Sequence, residues 1–381
     1  MVRFGVAAVV LVAACYSPTP PAGAPCPDGV CPTGLVCSQA TMTCEHENAH
    51  ADAARNDDAT DGPPMVTADA RQCFGSGLGT FCLAALPTGP LSILSDTTID
   101  TDASTLCVAY SGTGAGSYCI IAGTNITIGS HLVAVGSKPL IVIGTNSVSI
   151  TSTLDVASHR VGPVRGAGGN SGACVAGDAA GAGQGGPGGS FGGAGGIGGN
   201  GEQGGTKPNP GSTATPTTLR GGCRGRNGSL GAGGNGGGAV YVIAGTGITI
   251  TGAINASGGA GARSATNEEG GGGGGSGGMI ALEAPSISGG GQIFANGAGG
   301  GPGNDNSSNA EEPASALTAA LGGPDNDDSG DGGDGSAGAT LTGGNGGTGN
   351  DGGGGGGGGA GVIRVFPSQS LGTLVVSPPV T

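Results

Sequence analysis

The chain has 381 residues, a formal net charge of −14 and 92 glycines, 76 of them after residue 160. Aromatic residues make up 3% of it and tryptophan is absent, which argues against a globular layered fold built on bulky rings; a solenoid needs only small and β-branched side chains stacked in register. With two lysines, Lys138 and Lys207, the acidic balance argues against nucleic acid and anionic headgroups as partners, because phosphate binding needs clustered Lys and Arg.

The N-terminus reads MVRFGVAAVVLVAAC. Arg3 precedes an apolar run over 4–14 that is too short to span a bilayer but has the shape of a signal-peptide core. It ends in Val12-Ala13-Ala14-Cys15, which resembles the lipobox of bacterial lipoproteins. That resemblance implies a lipoprotein signal peptide over 1–14, lipidation of Cys15 as the new N-terminus, and a membrane partner engaged through that anchor. Tyr16 follows in place of the Asp that resembles an inner-membrane retention signal, so the expected location is the outer membrane, on its extracellular or periplasmic face. An ordinary cleaved signal with an incidental cysteine is the alternative.

A Pro-rich spacer occupies 15–25 and a small Cys-rich module 26–44. Cys26, Cys31, Cys37 and Cys44 follow a C-x4-C-x5-C-x6-C spacing; four cysteines allow three disulfide connectivities, and a zinc site is the rival. Residues 45–72 carry seven acids and two arginines and read as an acidic disordered stalk. His46 and His50 lie in it, as a metal tract or as a solvated linker. The remaining cysteines form the couples Cys73/Cys82, Cys107/Cys119 and Cys174/Cys223, each expected to close one loop in an oxidising compartment.

From 73 to 381 one phrase recurs: GTNITIGSHLVAVG at 123–136, GTNSVSITSTLDVAS at 144–158, GTGITITGAINASG at 245–258 and APSISGGGQIFANG at 284–297. A weaker copy lies at 91–104. Apolar strands open the copies at 118–122, 140–143, 240–244 and 279–282, and a further one lies at 362–365. Period-2 alternation places Ile126/Ile128, Val148/Ile150 and Ile248/Ile250 at equivalent positions on one strand face. Copies that run in the same direction predict parallel pairing, and the 21-residue spacing of the closest two matches one coil. The fold class expected is all-β: a right-handed parallel β-helix (solenoid) with long Gly-rich loop insertions on one flank, at roughly 159–238, 257–277 and 298–360. The insertions are either disordered or packed as polyproline-II-like strands whose missing side chains let backbones approach.

Among polar clusters, Asp155 and His159 (LDVASHRVGPVRG, with Arg160 and Arg165) have the residue types of an acid/base pair, or of a loop exit with a hydrogen-bonded aspartate. Asp325, Asp327, Ser329 and Asp331, with Gly330 between, resemble the start of a calcium loop, although Ser336 stands where a bidentate Glu is required; calcium is the only cofactor suggested. Arg220, Arg224 and Arg226 form a basic knot suited to a local ion pair or an anionic polysaccharide. Lysine never follows glycine, so no Walker A loop exists, and GGSGG at 274–278 lacks the helix that a nucleophile elbow needs.

The stretches SKPLIVIGTNSVSITSTLDVASHR, TTLRGGCRGRNG, GGGAVYVIAGTGITITGAINASGG, GGGGGGSGGMIALEAP and GGGGGGGGAGVIRVF resemble Gly-rich lipoproteins of myxobacteria; PE-PGRS proteins are similar in composition alone. The resemblance implies no activity. The function expected is that of a non-enzymatic cell-surface lipoprotein displaying Gly-rich loops for adhesion or a structural role in matrix or envelope, with extracellular polysaccharide or a neighbouring cell surface as partner. The alternative is a polysaccharide-binding or polysaccharide-degrading β-helix, a lyase or hydrolase if an enzyme.

Overall fold

A computed structural model describes residues 26, 30–31, 35–38, 43–46, 72–161, 165–266, 268–325 and 327–381. The segments expected to form a signal peptide (1–14), a spacer with Cys15 (15–25) and the body of a stalk with His50 lie outside the described residues. The chain divides into two compact units, Met1–Thr67 and Ala68–Thr381. In the first, the antiparallel strands Leu35–Ser38 and Thr43–His46 are stapled by Cys26–Cys37 and Cys31–Cys44, one of the three connectivities open to the cluster. The Sγ atoms of Cys26, Cys31 and Cys37 lie within 4.8 Å of one another, but disulfide sulfurs are not thiolates and do not hold zinc.

Among the described residues of the second unit every regular element is a strand. Two parallel sheets dominate it. The first has eight strands: Leu91–Ile93, Cys119–Ile128, Leu140–Ile150, then Ala239–Ala244 with Gly247–Ile250, Met279–Glu283 with Ile287–Ser288, and Val362–Phe366. The second has six, in chain order from Thr97–Asp100 through Leu132–Val135, Thr153–Asp155, Ala253–Asn255 and Gln292–Phe294 to Val375–Ser377. The chain alternates between the sheets. Equivalent residues of the repeated phrase stand side by side: Ile126, Val148, Ile248 and Ile287 form one row, and Leu132, Leu154, Ile254 and Ile293 another. Both rows belong to one apolar core shared by the two sheets.

The first half of each long strand is buried on both faces, which explains continuous apolar runs such as LIVI at 140–143. Its second face carries Ile120, Ile141 and Tyr241, covered by Phe81 and Leu83 of a three-stranded antiparallel sheet (Cys73–Phe74, Phe81–Leu83, Tyr110–Gly112) and by Phe191 and Leu219 from the first insertion. The second half alternates, with Ile248 and Ile250 inward and Thr249 exposed.

The right-handed parallel β-helix with projecting loops is corrected by this architecture. The strands form two open parallel sheets of eight and six strands, and no sheet closes or curls on itself. A coil needs a stranded return from the second sheet to the first. The late returns are the Gly-rich insertions, and glycine gives a strand no side chain to pack.

The insertions are not separate loops. They associate into one hydrogen-bonded glycine array. Along 271–278 the backbone N–H groups serve three neighbours in rotation: Gly271, Gly274 and Gly277 donate to Gly353, Gly356 and Gly359; Gly272, Gly275 and Gly278 donate to Ala262, Gly259 and Ala256; Gly273 and Ser276 donate to Arg226 and Cys223. Segment 353–361 does the same, with acceptors that include Gly186, Gly344 and Ala298. A three-residue period is that of a polyproline-II-like strand, which makes no internal hydrogen bonds and must find partners outside itself. Segments enclosed on all three sides are almost pure glycine. In 185–201 two residues of each three are glycine, and third positions carry Pro187, Ala194, Ile197 and Asn200.

The packing leaves no room for a methyl group. A Cβ on Gly275 would lie 2.0 Å from the Asn235 carbonyl oxygen, whereas one on Gly290, in an exposed turn, meets nothing within 4 Å. Gly275→Ala is therefore expected to cost about 1–3 kcal/mol or more in thermal unfolding, and Gly290→Ala to be neutral or to add about 0.4–1 kcal/mol. Equal effects of the two substitutions would exclude a close-packed array. Three disulfides cross-link this unit, Cys73–Cys82, Cys107–Cys119 and Cys174–Cys223. The last closes 49 residues and the first 9, so loop entropy ranks their removal at about 4 against about 2.5 kcal/mol, measurable by denaturation of the paired Cys→Ser variants.

Candidate functional site

Strand Thr153–Asp155 ends where the first insertion leaves the second sheet. Leu154 enters the core and Asp155, 5% exposed, turns the chain: its Oδ1 accepts the Ala157 N–H at 2.8 Å. Asn255, its registered neighbour, accepts the Ser257 N–H in the same way at 3.0 Å. The repeated Asx-turn gives the aspartate a backbone role in the exit from the sheet.

The second carboxylate oxygen of Asp155 lies 3.2 Å from His159 Nε2 and 3.5 Å from His131 Nε2. The other ring nitrogen of His159, Nδ1, lies 3.0 Å from Glu312 Oε2, and the Arg160 backbone N–H donates to Glu312 Oε1. Sequence reasoning brought Asp155 and His159 together and missed Glu312, which is 153 residues from His159 and has no local signal.

Both ring nitrogens thus face carboxylates. The hydrogen bonds that its ring N–H groups donate to Asp155 and then Glu312 hold the imidazole protonated and push its pKa up to about 10, against the opposing effect of burial. Burial pushes the Asp155 carboxyl up, but the hydrogen bond and charge of His159 outweigh it and leave its pKa below the usual value. A general base needs a free nitrogen lone pair near physiological pH. His159 presents none in this arrangement. The group is an Asp–His–Glu ion bridge that ties the exit of the first insertion to the third.

The calcium candidates gather at one corner of the array. Asn304 Nδ2 donates to Asp325 Oδ1 and Asp327 Oδ1, both at 2.8 Å. The Ser307 N–H donates to Asn304 Oδ1 at 2.8 Å, which fixes the amide with its nitrogen toward the carboxylates. Asp327 Oδ1 also accepts the Ser329 N–H, and Asp331 Oδ1 accepts the Asp325 N–H. An amide donor therefore bridges two of the carboxylates that a cation would share, and the donor set does not fit calcium. Burial, then the neighbouring Asp327 and Asp331, raise the pKa of Asp325; the Asn304 hydrogen bond lowers that of Asp327.

The basic knot differs from the expected ion pair. Arg220 lies 4.8 Å over the Phe191 ring and donates to Ser171 Oγ at 3.3 Å. Arg224 donates to the Gly233 carbonyl and to Asn227 Oδ1, each at 3.2 Å. A second carboxylate site outside the sequence reading is Glu283. It accepts Ser76 N, Ser76 Oγ and Gly77 N at 3.0, 2.9 and 3.1 Å, together with the hydroxyl of buried Tyr241, and so docks the 75–79 turn on the first sheet.

The folded pKa of His159 lies above the free value of about 6.5, so its stabilisation is complete below about pH 6.5 and is lost as pH rises toward 10. NMR of the imidazole is expected to show no titration between pH 5 and 8, and His159→Gln is expected to flatten the loss of stability between pH 7 and 10. A midpoint near 6.5 would refute the bridge. No family model, no curated protein and no solved structure matches the chain.

Proposed function

We propose that the protein is an exported, non-catalytic lipoprotein of the outer membrane whose glycine array offers a stiff face for adhesion or matrix contact. The observation that carries this reading is the array itself: three insertions, far apart in sequence, spend their backbone hydrogen bonds on one another. Such packing places the backbone of all three insertions in one ordered array. Five disulfides support an oxidising compartment. Export and anchoring rest on Arg3, the apolar run and the lipobox-like Val12–Cys15 stretch, and kinship with Gly-rich lipoproteins of myxobacteria belongs to the same proposal.

The degradative alternative is disfavoured by His159, whose two ring nitrogens are engaged by Asp155 and Glu312. An Asp155→Ala variant is expected to lose stability and to leave glycan turnover at background in both proteins.

Mass spectrometry and fractionation test the anchor. The wild-type chain is expected in the outer-membrane fraction with an acylated N-terminal Cys15, and Cys15→Ser in the soluble exported fraction. Protease shaving of whole cells reads exposure, and cell cohesion of a deletion strain reads adhesion. A wild-type protein recovered in the cytoplasm with free thiols would overturn the reading.

A further inference from the structure

Two cavities adjoin on the side of the first insertion. One, of about 380 Å³, is lined by Val175, Ala179, Arg224, Arg226 and Asn227, with the Cys174–Cys223 disulfide in its wall. The other, of about 320 Å³, is lined by Tyr118, Ser137, Arg165 and Arg220. Asn170 and Ser171 line both, so the two cavities lie side by side and make up one track of lining residues. Each volume falls in the range of about 300–1,000 Å³ typical of small-ligand sites.

The charge of the track is opposite to that of the protein. The chain carries a net charge of −14, yet four arginines and no carboxylate line the two cavities. The guanidinium groups of Arg220, Arg224 and Arg226 form no salt bridge among the described residues, whereas Arg165 lies close enough to the Asp102 carboxylate to help lower its pKa. Arg220 is held by the Phe191 ring and Ser171, and Arg224 by Gly233 and Asn227, neutral partners that fix geometry without cancelling charge. The backbone of half-buried Arg226 is locked into the glycine array through Pro187 and Gly273, while its side chain has no hydrogen-bond or ion-pair partner among the described residues. Planar guanidinium forks suit carboxylates. The amide of Asn170 is engaged by Asn235 and Gly236, but the Ser171 hydroxyl, which accepts from Arg220, keeps its hydrogen to donate to a sugar oxygen, and Val175 and Ala179 offer apolar contact for a ring face.

We infer that the track Arg165–Arg220–Arg224–Arg226 binds an acidic glycan, a uronate-bearing oligosaccharide long enough to engage both cavities. This deepens the envelope reading and rests on it for the choice of glycan among anions. Adjoining cavities argue for a chain rather than a lone ion, because a single oxyanion fills only one of them.

Calorimetry on the purified mature chain tests this with tetragalacturonate, maltotetraose and inorganic sulfate. Saturable binding of tetragalacturonate is expected, weakening as salt rises, with no binding of maltotetraose and at least tenfold weaker binding of sulfate. Arg226→Gln and Arg220→Gln are each expected to weaken tetragalacturonate binding at least tenfold, and Arg226→Lys less. Arg224→Gln alters an exposed side chain at the cost of its hydrogen bonds to Gly233 and Asn227; it too is expected to bind more weakly, with a cooperative melting transition that shows the variant folded. Equal affinity of Arg224→Gln and wild type, equal binding of the neutral tetrasaccharide, sulfate binding as tight as the oligosaccharide, or no binding at all would each overturn the proposal. Binding is read on purified protein and location on cells, so failure of one is distinguishable from failure of the other.

Discussion

A glycine backbone removed from water must place every N–H and C=O on another backbone, and here each successive N–H along the central segments turns to a different neighbour. That requirement governs the rest of the molecule. Three residues per turn mean three contact directions, and a segment surrounded on all of them tolerates hardly any side chain. This is why 271–278 and 353–361 are almost pure glycine while 185–201 admits Pro187, Ile197 and Asn200 at its third positions. Each hydrogen bond contributes only about 0.5–1.5 kcal/mol net, but an unmade one costs about 1–3 kcal/mol, so the array is satisfied together or not at all.

Glycine also loses more conformational freedom on ordering than any other residue. The array therefore depends on a frame. The two parallel sheets fix where each insertion begins and ends, through rows such as Ile126–Val148–Ile248–Ile287 that share one core. The Cys174–Cys223 bridge closes the first insertion on itself. The Asp155–His159–Glu312 bridge then ties that insertion to the third. Both cross-links reduce the chain entropy that the glycine segments must lose.

The same frame shapes the surface on which the proposed function rests. Side chains are scarce in the array, so those at its margin set the chemistry of its surface. They sort by charge: acids cluster around Asp325, Asp327 and Asp331, closed by Asn304, whereas arginines line the track beside Cys174–Cys223. A stiff support with a few placed cations is a means of binding an extended anion without a deep catalytic cleft.

The sequence by itself determined what is local or strictly periodic. Alternation placed Val148 and Ile250 inward, same-direction repeats specified parallel pairing, and spacing located the three insertions and the three late cysteine couples. Tertiary structure alone decided whether the sheets close, which of three connectivities the first cysteine cluster takes, and that the insertions order one another. It also supplied Glu312 to His159 and Asn304 to the acidic loop, across 153 and 21 or more residues. The physical reason is common to these cases. A side-chain pattern reports which face of a strand meets water, but glycine has no side chain to report with, and a partner supplied by a distant segment leaves no mark on the local spacing of the residues it completes.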